Sequence, residues 1–167
     1  MSDGNPGVNT APVVLIGPVC VGKSVAGVAE LKARRGTDAA YDDFEGFVAA
    51  TARHVLYAHL HAVIAMGAGH THYRSRQRHE DVLAAFDSVQ ATAVLLLPCA
   101  DPMDAVRQLR QRAVLDRADD FRRDGRDLLT VWVHSQQNHR LATHTVITAG
   151  QTPAQTADEI IASRPAP

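Results

Sequence analysis

Val13-Val14-Leu15-Ile16-Gly17-Pro18-Val19-Cys20-Val21-Gly22-Lys23-Ser24 is the stretch whose reading decides the fold. The first four residues form an unbroken apolar, β-branched run, as in a strand buried on both faces. The next eight obey G-x-x-x-x-G-K-[ST]. From Lys23 to Arg35 the chain is rich in helix formers, turns basic at its end and stops at Gly36. Strand, glycine turn and helix in that order are the context in which this pattern cradles phosphate. Its glycines let the backbone curl so that successive N–H groups point inward, and the helix that follows adds the positive end of its dipole. The expected cradle comprises Gly17, Val19, Cys20, Val21, Gly22, Lys23, Ser24 and Val25. Lys23 is placed to reach the β- and γ-phosphates of ATP, and the Ser24 hydroxyl to ligate Mg²⁺.

Strand and helix signals alternate outward from this point. A short strand is expected near Ala39–Tyr41, a helix from Phe44 to about His59, and a strand over Ala62–Met66 that Gly67 and Gly69 break. Val82, Ala85, Phe86 and Val89 recur at helical spacing, and Ala93–Leu97 reads as a buried strand. Asp101 is a candidate cap for a helix with Pro102 at its first position and Met103, Val106, Leu109 and Ala113 on its apolar face. The charge-dense stretch Arg117–Arg126 reads as a helical flap with Trp132 packed beneath it. Thr143–Thr148 reads as a last strand, and Thr152 to Gln155 as the capping box of a final helix bearing Ile160 and Ile161. Such alternation predicts a mostly parallel sheet with helices on both faces. Residues 1–11 read as a disordered tail and 12–164 as one domain, with a lid at about 112–127.

Bulk properties narrow the partners. Of the 167 residues, 46% are hydrophobic and 21% charged, and no apolar run nears the ~20 residues of a membrane span. A net charge of −1 gives no broad footprint for nucleic acid. Cys20 and Cys99 are too few for a disulfide framework, and no signal peptide is evident, so a cytoplasmic protein, monomer or homodimer, is expected.

Phosphate binding alone fits kinases, GTPases and motor ATPases. No lysine follows Lys32 to supply a guanine-reading N-K-x-D, and the strand ending at Leu97 runs into Pro98-Cys99 rather than Asp-Glu. Instead, Tyr41-Asp42-Asp43 follows the second strand, where a carboxylate facing the cradle can orient and deprotonate an acceptor hydroxyl. Arginines on a closing flap can neutralise the transferring phosphoryl. Arg110 and Arg117 lie seven apart, on one helix face.

Several of these parts occur in the order found in one family. Gly22-Lys23-Ser24 followed by Gly27, the acids Asp42 and Asp43, Ile64-Ala65-Met66-Gly67-Ala68-Gly69, the arginines 110 and 117, and Val146 to Pro153 together resemble the shikimate kinase branch of the nucleoside-monophosphate-kinase-like P-loop enzymes. The resemblance implies a three-layer α/β/α P-loop fold with a five-stranded parallel sheet of order 2-3-1-4-5 and an Arg-rich lid. It implies Asp42 on the Mg²⁺ side, Asp43 on the acceptor hydroxyl, and Gly67, Ala68 and Gly69 close to the acceptor. Arg110, Gln151 and Pro153 would flank the adenine, and Arg117 would act from the lid. Arg53 is the nearest counterpart of the family's carboxylate-gripping arginine. Tyr41 stands where the family has its first acid, and Ala68 where it has a middle glycine.

The reaction so implied moves the γ-phosphoryl of Mg·ATP to a hydroxyl of a small molecule, shikimate-, sugar- or natural-product-like. Alternatives are a nucleoside or nucleotide kinase, and a non-catalytic ATP-binding regulatory protein. The run Tyr73 to Arg78 is a candidate anion binder or a solvated helix start. His59 and His61, at i and i+2 on a helix, point apart and do not chelate well, while His70 and His72 flank the acceptor loop and read as substrate contacts or polar loop residues rather than a zinc site.

Overall fold

The computed structural model describes residues 11–18, 44–117, 119–123 and 125–163. The cradle residues Val19 to Val25, the helix expected after them, the strand near 39–41, and Asp42 and Asp43 lie outside the described residues. So does most of the expected tail.

The first strand is β1 (Val13–Ile16), then come α1 (Phe44–Ala58) and β2 (Val63–Ala65). A 3₁₀ turn (Ala68–His70) leads to α2 (Arg76–Ser88), β3 (Thr92–Leu97) and α3 (Pro102–Arg117). Two short strands, β4 (Arg122–Arg123) and β5 (Arg126–Asp127), pair as an antiparallel hairpin. After the hairpin come α4 (Leu128–Val133), α5 (Gln136–Leu141), β6 (His144–Ile147) and α6 (Pro153–Ala162).

Strands β2, β1, β3 and β6 lie side by side in that order, all parallel. These are the strands expected at the last four positions of the 2-3-1-4-5 order; the edge strand of that order falls outside the described residues. Strict alternation along β1 sorts its side chains onto the two faces. Val14 and Ile16 join Val48, Leu56, Val82 and Phe86 of α1 and α2, with Leu141 of α5. Val13 and Leu15 face the other way, into a cluster with Leu109 of α3, Leu129 and Val133 of α4, and Ile160 of α6. The described part is therefore a parallel sheet between two helical layers. All six residues of β3 are buried, as a central strand requires. Each such Leu or Val contributes about 1.5–3 kcal/mol through loss of water contact.

Local signals held where their chemistry is short-range. The Asp101 carboxylate accepts from the Asp104 N–H at 2.8 Å, and Thr152 and Gln155 exchange both bonds of a capping box. Departures came where tertiary contact decides. The charged stretch after Arg117 is a hairpin, not a helical flap: Gly125, at φ +72°, sits in its turn, a backbone angle that glycine adopts at no steric cost. Met103 is 70% exposed, off the buried face of α3. Ile161 is likewise exposed, and only Ile160 reaches the core. His59 and His61 lie beyond the end of α1, so helical spacing does not relate them.

Candidate functional site

The carboxyl ends of parallel strands are where ligands of such sheets bind, and two features follow the ends of β1 and β2. The first is Gly17, directly after β1. Its φ is +130°, and a Cβ placed on it would stand 2.5 Å from the Leu96 carbonyl oxygen of β3. Only glycine fits this exit from the central strand.

The second is a cleft of ≈ 590 Å³ between the start of α1, the segment after β2 and the hairpin. Gly69, His72 and Arg74 form one wall; Arg126, Leu128 and Trp132 form the other. Glu45 and Arg78 close it from the ends of α1 and α2, where Arg78 Nη1 lies 3.0 Å from Glu45 Oε2. Glu45 also accepts the backbone N–H groups of Arg74 and Ser75, so its charge is spent on the start of α2. Arg74 and Arg126 make no ion pair among the described residues, and both are exposed. Two guanidinium groups thus line one cleft without an ion pair among the described residues.

Burial lowers the pKa of His72, and the Glu45 carboxylate opposes this only partly, so the ring is uncharged at neutral pH. Its Nδ1 lies 3.1 Å from Ser135 Oγ. Burial, aided by Glu45, raises the Tyr73 pKa, and that phenol donates to the His70 carbonyl. Trp132 is half-buried, its ring edge-on to Phe121 at 5.9 Å, so it does pack beneath the segment that forms the hairpin.

Among the residues expected at the site, Gly69 lines the cleft, while Gly67 and Ala68 lie behind it. Gly67 admits the ring of His70, whose Nδ1 would be 2.8 Å from an added Cβ. Arg53 is exposed on α1 and does not line the cleft. Arg110 is bound to the Asp127 carboxylate; its Nη1 is buried without a hydrogen-bond partner. It borders a second, apolar groove of ≈ 570 Å³ along α3, with Met103, Val106, Gln111 and Val114. Arg117 is the last residue of α3. Gln151 bonds Glu159 and Thr156, and Pro153 opens α6. Glu45 was not singled out by sequence, and Arg126 only as one arginine of the charged stretch. No local pattern marks them, because both acquire meaning only across the cleft.

Asp127 holds the hairpin to α3 and caps α4. Burial pushes its pKa up, but bonds from Thr130 and Arg110 outweigh this and hold it below the usual 3.8. A depressed carboxylate pKa stabilises the fold above the unfolded-state value, and that contribution fades as pH falls through the folded-state value. Asp127→Asn is therefore expected to flatten the loss of thermal stability below about pH 4. An unchanged acid limb in a pH series of melting curves would place the acid sensitivity elsewhere.

The chain matches no known family model and no curated protein.

Proposed function

We propose that the protein is an ATP-dependent phosphotransferase whose acceptor is a small, negatively charged alcohol bound in the cleft. The observation that carries this reading is the pairing of Gly17 with the cleft. The glycine that opens G-x-x-x-x-G-K-S leaves the central strand by a turn only glycine can make, and the cleft carries two arginines without an ion pair among the described residues, a tryptophan and a neutral histidine.

On this reading Gly17 to Val25 hold the phosphates, and Ser24 and Asp42 would hold a Mg²⁺ ion, which would offset phosphate charge. The close backbone approach at Gly17 suits a group that needs N–H donors rather than side chains around it. Asp43 takes the proton of the acceptor hydroxyl. Arg74 and Arg126 clamp the acceptor's anionic group, Trp132 supports its apolar face, and Arg117 acts from the lid. The apolar groove beside Arg110 is the surface on which we seat the adenine. The five-stranded order and the family resemblance are part of the same proposal.

The test is ADP release from Mg·ATP against a panel of hydroxylated carboxylates, phosphorylated sugars, neutral sugars, aminocyclitols and nucleosides. Stimulation by an anionic alcohol, absent with Lys23→Ala, supports the reading. Stimulation only by a neutral acceptor removes the anion clamp, and none by any acceptor, with ATP still bound, favours a regulatory nucleotide binder. Arg126→Ala is expected to raise the acceptor KM about tenfold or more, at an unchanged melting temperature, because its side chain is exposed and makes no ion pair among the described residues. An unaltered KM would remove Arg126 from the site.

A further inference from the structure

Thr71, His72 and Tyr73 are each fastened to one turn of chain that is more than sixty residues away in sequence. Thr71 Oγ1 donates to Asn138 Oδ1 at 2.6 Å, and His72 Nδ1 lies 3.1 Å from Ser135 Oγ. The Tyr73 N–H donates to Gln137 Oε1 at 2.6 Å, and Gln137 Nε2 donates back to the Tyr73 carbonyl at 2.8 Å. The Gln137 amide thus completes the Tyr73 backbone as a neighbouring strand would. Asn138, 1% exposed, also donates from Nδ2 to the Trp132 carbonyl at 3.2 Å. The start of α5 therefore holds one wall of the cleft through Thr71, His72 and Tyr73. Through the end of α4 it holds the other, the wall that carries Trp132 and Arg126.

We infer that Gln137 and Asn138 are positioning residues that set the gap between the two walls and so select the acceptor, without touching it. This rests on the reading of the cleft as the acceptor site. The geometry gives the pair this task because His72 and Arg74 flank the very backbone that Gln137 grips, while Trp132 hangs on Asn138. A network in which each buried polar atom has its partner holds one spacing rather than a range. A wall displaced by about 1 Å is enough to cost ~10²-fold in a transfer reaction.

The experiment uses the full chain, with Lys23→Ala as background to weaken phosphate binding at the cradle. The probe is pyrophosphate, followed by emission of Trp132, the single tryptophan. Gln137→Ala is expected to speed amide exchange of residues 71–75 about tenfold, to leave the later turns of α2 unchanged, and to weaken pyrophosphate about tenfold. Gln137→Glu keeps an acceptor for the Tyr73 N–H, loses the donor and adds a negative charge, so its pyrophosphate affinity is compared at high salt, where that charge is screened. It is expected to restore part of both effects, and it serves alone if the alanine variant fails to fold. A loosened loop with pyrophosphate affinity within about twofold of the parent overturns the inference, since the strap would then be structural only. Unchanged exchange overturns it as well. A parent protein that gives no saturable Trp132 signal, while exchange still responds to the substitution, instead overturns the reading of the cleft and takes this inference with it.

Discussion

Lys23→Ala is expected, on the proposed function, to slow phosphoryl transfer by about 10²–10³-fold, the scale seen when one preorganised charge or donor is removed from a transition state. The reason is electrostatic. Negative charge spreads over the transferring oxygens, and a fixed ammonium in a site that excludes water stabilises it far better than solvent does. Lys23 is one of only two lysines against fifteen arginines, in a chain that otherwise places its positive charge on guanidinium groups. Lys23→Arg retains the charge but replaces a compact point with a planar fork, so it is expected to recover little. Initial rates of ADP release, with circular dichroism to verify folding, measure both variants. Transfer that persists at the parental rate in Lys23→Ala would refute the role of the cradle.

Gly17→Ala has the largest expected effect on stability. The alanine methyl would stand 2.5 Å from the Leu96 carbonyl, and the φ of +130° is strained for any L side chain. Strain of about 1–3 kcal/mol adds to about 1–3 kcal/mol for overpacking against a backbone that cannot yield, because β3 is hydrogen-bonded on both sides. For a domain of this size each kcal/mol lowers the melting temperature by roughly 2–4 °C, so a fall of about 5–20 °C is expected. Gly69→Ala is the internal control: an added Cβ there meets nothing within 4 Å. Its melting temperature should stay within a degree or two of the parent. Equal melting of the two variants would mean that the exit from β1 can relax.

Much of the fold was legible because its signals are local. The β-branched run of β1, the apolar Ala93–Leu97 of β3 and the caps at Asp101 and Thr152 depend on residues a few positions apart. The hairpin was not legible. Its strands are two residues each and carry arginine and aspartate, which show no alternation of apolar and polar residues. It is held from outside, by Arg110 reaching Asp127 and by Phe121 against Trp132. Arg53 does not line the cleft for a related reason. Its place in a helical pattern says which face it occupies, and that face is turned to solvent.

By itself the sequence determined the central strand, the glycine-led turn that follows it, the alternation of strands and helices, and the helix caps. Each of these arises from steric and hydrogen-bonding preferences acting within one turn or one strand. The tertiary structure alone decided which charges share a cleft. Glu45 is consumed by Arg78 and the start of α2, Arg110 by Asp127, and Arg74 and Arg126 line one cleft without an ion pair among the described residues. Electrostatic complementarity depends on distance in space, and Arg74 and Arg126, fifty-two positions apart, come to share a cleft only when the fold brings their segments together.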